Sequence, residues 1–369
     1  MPYASGLGAS LGIATESAVG TETTASMKHY EFLSESLTQT PTYLDSAGLK
    51  QGQAFKRIQR TQITRFDAGG DIVLEHFDRG VSATGGGGMG LWWKHALGST
   101  GVPTQISTGT AYQQLHTPAP KDGLSATLQI GRPQAASPYT SNPFTYSQCK
   151  CGQWEFSCTD GQLAQLKLTL DGAKENTATA LVSPTYAGTG YQAGIFSFSD
   201  VAANAFILGT AAATGTGGMT LSGTAAVATV VKGLTITGQT PLASERYGFG
   251  NAGRKREQLA NGIPVITGTL DAEFTNRTEF YDLFQANTTS AMQISFTHYQ
   301  NGVDAAGATG GTGANPYRLQ FTLPSVKFKS GAVSVSGPDL LPQSIGFETY
   351  DDGAGNVFEV RLVSQDQAI

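Results

Sequence analysis

The apolar and polar positions of the chain form a series of short alternating runs separated by turn-forming residues, the signature of half-buried strands. In the first half this alternation predicts strands at Tyr30–Leu37, Asp71–Phe77, Leu124–Ile130, Tyr146–Ser157 and Leu163–Leu170, the last closed by the turn pair Asp171-Gly172. A long polar loop, about Thr38 to Thr64, lies between the first two. One segment breaks the two-residue period. In Met89-Gly-Leu-Trp-Trp-Lys-His-Ala-Leu97 the apolar positions fall three or four apart and Gly98 follows, predicting a short amphipathic helix with a glycine stop.

The second half repeats the order. A strand at Val231–Thr237 is followed by a polar loop from Thr240 to Gly262, a strand at Val265–Phe274 and a helix at Thr278–Ala286. Strands follow at Met292–Phe296, Tyr317–Leu323, Val326–Lys329 and Val333–Val335, with Phe347 and Val357–Leu362 closing the chain. Internal duplication explains this recurrence, and the long loops agree with it. Lys56, Arg57 and Arg60 occupy one loop where Arg254, Lys255 and Arg256 occupy the other. Between the halves, Tyr186 to Val230 is rich in Gly, Ala and Thr, with predicted strands at Ile195–Phe198 and Phe206–Leu208. The boundary is expected near Glu175, giving domains 1–175 and 176–369. Val303 to Ala314 and Gly85 to Gly88 read as flexible loops.

Composition narrows the class. The 369 residues suffice for two ordinary domains, and 14% charged residues with 47 glycines suit strands and turns, while 39% hydrophobic residues are enough for folded cores. A net charge of -5 argues against a surface that grips nucleic acid, which needs a basic face to displace counterions from phosphates. The Met1 end has no basic segment followed by an apolar core, and no run approaches about 20 apolar residues, so neither export nor membrane insertion is expected. Three cysteines, Cys149, Cys151 and Cys158, do not make a disulfide framework, and synthesis in a reducing cytoplasm is expected.

Candidate chemistry is sparse, and no cofactor is expected. The cysteine spacing lacks the paired pattern and fourth ligand of a structural zinc site. On an alternating strand Cys149 and Cys151 face the core while Gln148 and Lys150 point outward. Glycines before the helix lack the Gly-Lys-Ser/Thr ending of a phosphate loop. The histidines His29, His76, His95, His116 and His298 show neither metalloprotease spacing nor a nucleophile elbow. Glu75, Asp271 and Glu273 lie on predicted strands and could form a glycosidase pair, but carboxylates so placed are common in β-proteins. No catalytic activity is expected.

Several stretches carry a likeness to a known family. They are Gly8-Ala-Ser-Leu-Gly-Ile-Ala-Thr-Glu-Ser-Ala-Val-Gly-Thr-Glu-Thr-Thr24 leading into Tyr30–Leu37, Gly90-Leu-Trp-Trp-Lys-His-Ala-Leu-Gly98, and Phe196-Ser-Phe-Ser-Asp200 followed by Val231–Thr237. Together with the two-fold plan they resemble the tail tube proteins of long-tailed bacteriophages (siphophages), in the group whose chains carry two tube domains. The resemblance implies a mainly β fold of two tandem β-sandwich or barrel domains, each with one short flanking helix. It implies subunits joined edge to edge into trimeric rings of pseudo-six-fold symmetry, stacked into a conduit for genome delivery. The long loops would reach the adjacent ring, making Lys56, Arg57, Arg60, Arg254, Lys255 and Arg256 candidates for contacts between rings. Glu75, Asp271 and Glu273 become candidates for facing the lumen, where acidic residues keep DNA sliding. The implied partners are further copies of the chain, a tape-measure protein and then phage DNA in the lumen, and tail terminator and distal tail proteins at the ends. No membrane is involved, and the implied location is the virion, with assembly in the host cytoplasm. The inner tube of a contractile injection machine and an exported carbohydrate-binding or adhesive β-protein are the alternatives.

Overall fold

A computed structural model describes residues 4–77, 87–106, 111–135, 140–186, 194–201, 206–215, 218–297, 317–335, 337–367 and 369. Strands β1 (Ser10–Thr15), β2 (Lys28–Tyr30), β3 (Ser34–Glu35), β4 (Thr38–Asp45) and β5 (Thr61–Glu75) precede helix α1 (Gly90–Leu97). Then come β6 (Thr104–Gln105), β7 (Tyr112–His116), β8 (Ala126–Gln134), β9 (Thr140–Thr159), β10 (Gln165–Gly172) and β11 (Lys174–Asn176). The second half opens with β12 (Phe206–Gly209), β13 (Ala211–Gly215), β14 (Gly218–Ser222) and β15 (Ala225–Ala226). It continues with β16 (Val231–Gln239), β17 (Val265–Glu273), α2 (Tyr281–Gln285), β18 (Ser290–Thr297), β19 (Arg318–Phe328), β20 (Pro342–Thr349) and β21 (Glu359–Ser364). The fold is mainly β, as expected.

A central antiparallel sheet runs β4–β5–β10–β9–β16–β17–β20 through both halves. One flanking layer is β2–β1–β8–β9–β11 and the other is β15–β12–β18–β19–β21–β7–β6. The 20-residue β9 serves two layers, pairing β8 over residues 140–149 and then β10 and β16 over residues 150–159. Alternation sets the faces. In β17, Ile266, Gly268, Leu270 and Ala272 are buried while Val265, Thr267, Thr269 and Asp271 are exposed.

Residues from both sides of position 175 share one apolar core. The Phe156 ring lies 4.7 Å from Phe321 and 5.4 Å from Phe296. Helix α1 sits inside this core rather than flanking it, with seven of its eight residues buried. Trp93 meets Trp154 at 5.3 Å and Phe321 at 5.8 Å, and its indole N–H donates to His76 Nε2 at 2.9 Å. Leu91 and His95, on the side away from the stripe of Trp92, Trp93, Ala96 and Leu97, are buried too, so the helix is covered on both sides. Gly98 ends the helix at φ 98°, and a Cβ there would stand 2.4 Å from the Ala119 carbonyl oxygen.

Several expectations are corrected. Tyr30–Leu37 is not one strand but the end of β2 and the short β3. The polar loop after it begins and ends in a hairpin of β4 and β5, paired from Thr38 opposite Gly69 to Asp45 opposite Thr61 with one register shift between Thr42 and Tyr43. Ile195 and Ser197 make isolated bridges, followed by a 3₁₀ turn at Phe198–Asp200. Residues 333–335 form no strand, and residues 326–328 continue β19. Both helices form, the second shortened to α2. The segment from Val303 to Ala314 and residues 85 and 86 lie outside the described residues.

Cys149 and Cys151 face the core, but Gln148 and Lys150 are buried too. The loop after β16 accounts for this, since it folds back over the first half and closes on them. Lys150 Nζ meets Glu257 Oε1 at 2.6 Å and the Lys121 carbonyl at 2.9 Å, and Gln148 Nε2 donates to Gln258 Oε1 at 3.1 Å. Lys255 is buried between Asp67 and Asp171, Tyr247 donates to the Phe66 carbonyl at 3.0 Å, and Arg65 lies 4.7 Å over the Tyr247 ring. Burial opposes the Lys255 charge, and its two carboxylates overcome that and raise its pKa.

Two predictions follow from these buried groups. Replacing Lys255 by Met strands Asp67 and Asp171 beside a buried apolar chain and is expected to cost about 3–5 kcal/mol in denaturant unfolding, whereas exposed Arg254→Ala stays within about 0.5 kcal/mol. His76, His95 and His116 are held neutral by burial, each pushed from 6.5 down to about 3. The unfolded chain protonates them near 6.5 and the folded chain does not. Stability is therefore full above that pH and falls as pH drops from 6.5 towards 3, by up to about 1.4 kcal/mol per pH unit per histidine. The urea midpoint should move down steadily from pH 7 to pH 5.

Candidate functional site

The central sheet buries one face and exposes the other, and the exposed face is mostly polar, with Val73 and Val265 among its apolar positions. Its rows are set by register. Val73, Lys167, Glu155, Thr237, Thr267 and Glu348 follow one another across six strands, beside a second row of Glu75, Gln165, Ser157, Thr235, Thr269 and Gly346. The opposite side carries Ile72, Leu168, Trp154, Phe156, Ile236, Leu270 and Phe347, all buried. A hydroxyl-lined face needs no partner to be stable in water, because its threonines satisfy the strand propensity of the ladder without presenting apolar surface.

This face carries six carboxylates, Asp71, Glu75, Glu155, Asp271, Glu273 and Glu348. Four lysines answer them: Lys167 meets Asp71 at 2.9 Å, Lys232 meets Glu273 at 2.5 Å, Lys329 meets Glu348 at 3.5 Å, and Lys327 stands opposite Glu348 in the ladder. Burial raises the Asp71 pKa, but hydrogen bonds from Lys167 and Thr169 outweigh it and leave the carboxyl below its ordinary value. The surplus is acidic. Glu75, Asp271 and Glu273 all stand on this face, Glu75 opposite Gln165 and Asp271 opposite Ser344. The sequence reading missed Asp71, Glu155, Glu348 and the threonine rows. Strict Thr alternation at Thr235, Thr237, Thr267 and Thr269 was the signal that could have found them.

The long loops join strands at one end of the sheet. Between β4 and β5, Lys56 pairs Asp45 at 2.7 Å, Arg60 reaches Ser46 Oγ at 3.4 Å, and Arg57 is half-buried. Leu49, Phe55 and Ile58 of this arm stand almost wholly in solvent. In the loop after β16, Arg254 and Arg256 are exposed, while Lys255 is taken up by its intramolecular pair. The other end of the sheet bears Glu31, Glu75, Asp160, Asp271, Glu273 and Asp339. The loop end holds the exposed arginines Arg60, Arg254 and Arg256 together with Asp45, Asp67, Asp171, Glu245 and Glu257, several of which pair with cations there.

Conventional chemistry finds little support. The three thiols are free and buried, and burial raises all three, Cys158 to about 12. Among the described residues no group of three or more His, Cys, Asp or Glu is gathered to hold a metal, and no helix is long and apolar enough to cross a membrane.

A search of curated proteins finds no match. A family model described as phage tail tube protein matches residues 6–349, nearly the whole chain. Coverage of that extent joins the β-rich fold and the solvated acidic face to one conclusion: the chain belongs to the phage tail tube protein family and is a structural component of a bacteriophage tail tube.

Proposed function

We propose that copies of this chain close edge to edge into rings, that the rings stack head to tail, and that the polar face of the central sheet lines the resulting conduit for the phage genome. The observation that carries this reading is the face itself. It is continuous through both halves and hydroxyl-lined, with six carboxylates against four lysines. A wall of that charge repels phosphates and lets DNA slide, where a basic wall would hold it.

The duplicated plan supports a siphophage subunit of the two-tube-domain type, with units at 1–175 and 176–369. Three copies then supply six units, giving a trimeric ring with pseudo-six-fold symmetry. The exposed arginines of the loop end suit heterologous stacking, since in this reading they meet the carboxylates at the opposite end of the next ring. Lys56, Arg57, Arg60, Arg254 and Arg256 are the contacts proposed on the loop end. Glu75, Asp271 and Glu273 face the lumen in this reading. A tape-measure protein occupies the lumen before DNA, terminator and distal tail proteins cap the ends, and assembly takes place in the host cytoplasm. The role requires no catalytic step.

Negative-stain electron microscopy of the concentrated protein tests the reading. Hollow rings or tubes with three-fold or pseudo-six-fold cross-sections are expected, and a persistently monomeric particle refutes it. Arg57→Glu with Arg60→Glu is expected to leave single rings intact while shifting stacks towards separate rings, an effect that high salt mimics in the unmodified protein by screening. Unchanged stacking in both conditions removes these arginines from the contact.

A further inference from the structure

The two halves correspond ladder by ladder. Gly70 faces Leu170 and Ile72 faces Leu168, as Gly268 faces Phe347 and Leu270 faces Ile345. Strand β5 therefore matches β17, and β10 matches β20. Thr38 faces Gly69 as Thr237 faces Thr267, so β4 matches β16 with Thr38 at the place of Thr237. Cys151 faces Leu170 as Phe328 faces Phe347, so β9 matches β19.

In the central sheet one ladder has no counterpart. The second part of β9 pairs β16 and so joins the first half to the second, with Ser157 opposite Thr235, Glu155 opposite Thr237 and Gln153 opposite Gln239. The matching segment of the second half begins after Phe328. Both strands step out of register at that point, β9 at Gly152 and the other chain segment where the Lys329 and Ser330 amides both donate to the Gly346 carbonyl at 2.7 and 3.3 Å. Counting on, Ser330, Ala332 and Ser334 take the places of Gln153, Glu155 and Ser157. Val333 and Val335 take those of the buried Phe156 and Cys158, yet Val335 is 77% exposed. Among the described residues this segment has no ladder partner, and β4, the match of β16, is paired on one side only.

We propose that residues 330–334 of one copy add to the β4 edge of the next copy and repeat the β9–β16 junction, with Ser334 opposite Ser36, Ala332 opposite Thr38 and Ser330 opposite Thr40. This pairing rests on the ring reading above and names its contact. In the single chain the edge is blunted by its own side chains. The Leu37 amide donates to Glu35 Oε2 at 3.0 Å, the Leu37 carbonyl accepts from Tyr146 Oη at 2.9 Å and from Arg132, and Pro41 has no N–H to offer. The incoming strand replaces these contacts with a ladder and covers Val333 and Val335. With four strands from each of six units, 24 strands spaced about 4.8 Å apart close a cylinder at least roughly 37 Å across at the backbone.

A cysteine pair reads the register. Thr38 and Ala332 stand at opposite edges of the sheet, roughly 30 Å apart in one copy at about 4.8 Å per strand, so a disulfide between them must link two copies. Mild oxidation of the assembled Thr38→Cys, Ala332→Cys variant is expected to give a reducible covalent series ending at the ring size. The single variants, and Thr38→Cys with Val333→Cys, whose second cysteine turns to the other face, are expected to stay single. The native thiols are buried and do not compete. Tubes visible by microscopy with no series, or with a series only from the off-face pair, overturn the pairing and leave the tube reading intact. Failure of the unmodified protein to form rings overturns both. Where the variant alone fails to assemble, hydrogen exchange on the unmodified protein decides: amides of residues 331–335 become protected on assembly, and continued fast exchange there refutes the pairing.

Discussion

Everything in this structure depends on one strand that changes partners halfway along its length. The first part of β9 completes a flanking layer with β8, and its second part enters the central sheet between β10 and β16. That second ladder joins the first half to the second within the central sheet, as β7 with β21 does in a flanking layer. Its side chains also anchor the core, since Trp154 and Phe156 pack on Trp93, Phe321, Phe358 and Phe296. Gly238 is required opposite them, because a Cβ would lie 2.3 Å from the Trp154 ring. A backbone ladder fixes register to the residue, and an aromatic cluster beneath it penalises any slip, because a one-residue shift would turn every core side chain into water.

The loop after β16 reinforces the same joint from outside. It places Lys255, Gln258 and Glu257 against first-half residues, so charged and amide groups near the joint are closed off from water but paired. Buried charges of this kind add little net stability compared with apolar packing, but leaving one unpaired is costly, which makes the arrangement selective for one orientation of the halves. The arm between β4 and β5 is the contrasting case. It has the same place in the plan, yet its apolar residues Leu49, Phe55 and Ile58 stand in solvent.

The central sheet shows how one set of strands serves two demands. Its inner face must hold the core, so Ile, Leu, Phe and Trp alternate inward. Its outer face must tolerate water, so Thr, Ser and carboxylates alternate outward. Alternation with period two is what lets these demands coexist in the same residues of chain.

Much of this was legible in the sequence. Alternation located most strands and three-to-four spacing with Gly98 located α1, because each of these follows from contacts between near neighbours along the chain. The carboxylates Glu75, Asp271 and Glu273 were likewise picked out on their strands. Tertiary structure alone decided which strands became neighbours in the sheet and which face of each was solvated. It also buried α1 between the halves and drew Lys150 and Lys255 out of water, overturning the outward reading of Lys150. These outcomes depend on segments that meet from far apart in the sequence: Lys255 is buried because Asp171 and Asp67 approach it, and α1 is enclosed because Phe321 arrives from the other half. Local periodicity records how a residue relates to its own strand or helix, and it holds no record of what that element will be packed against.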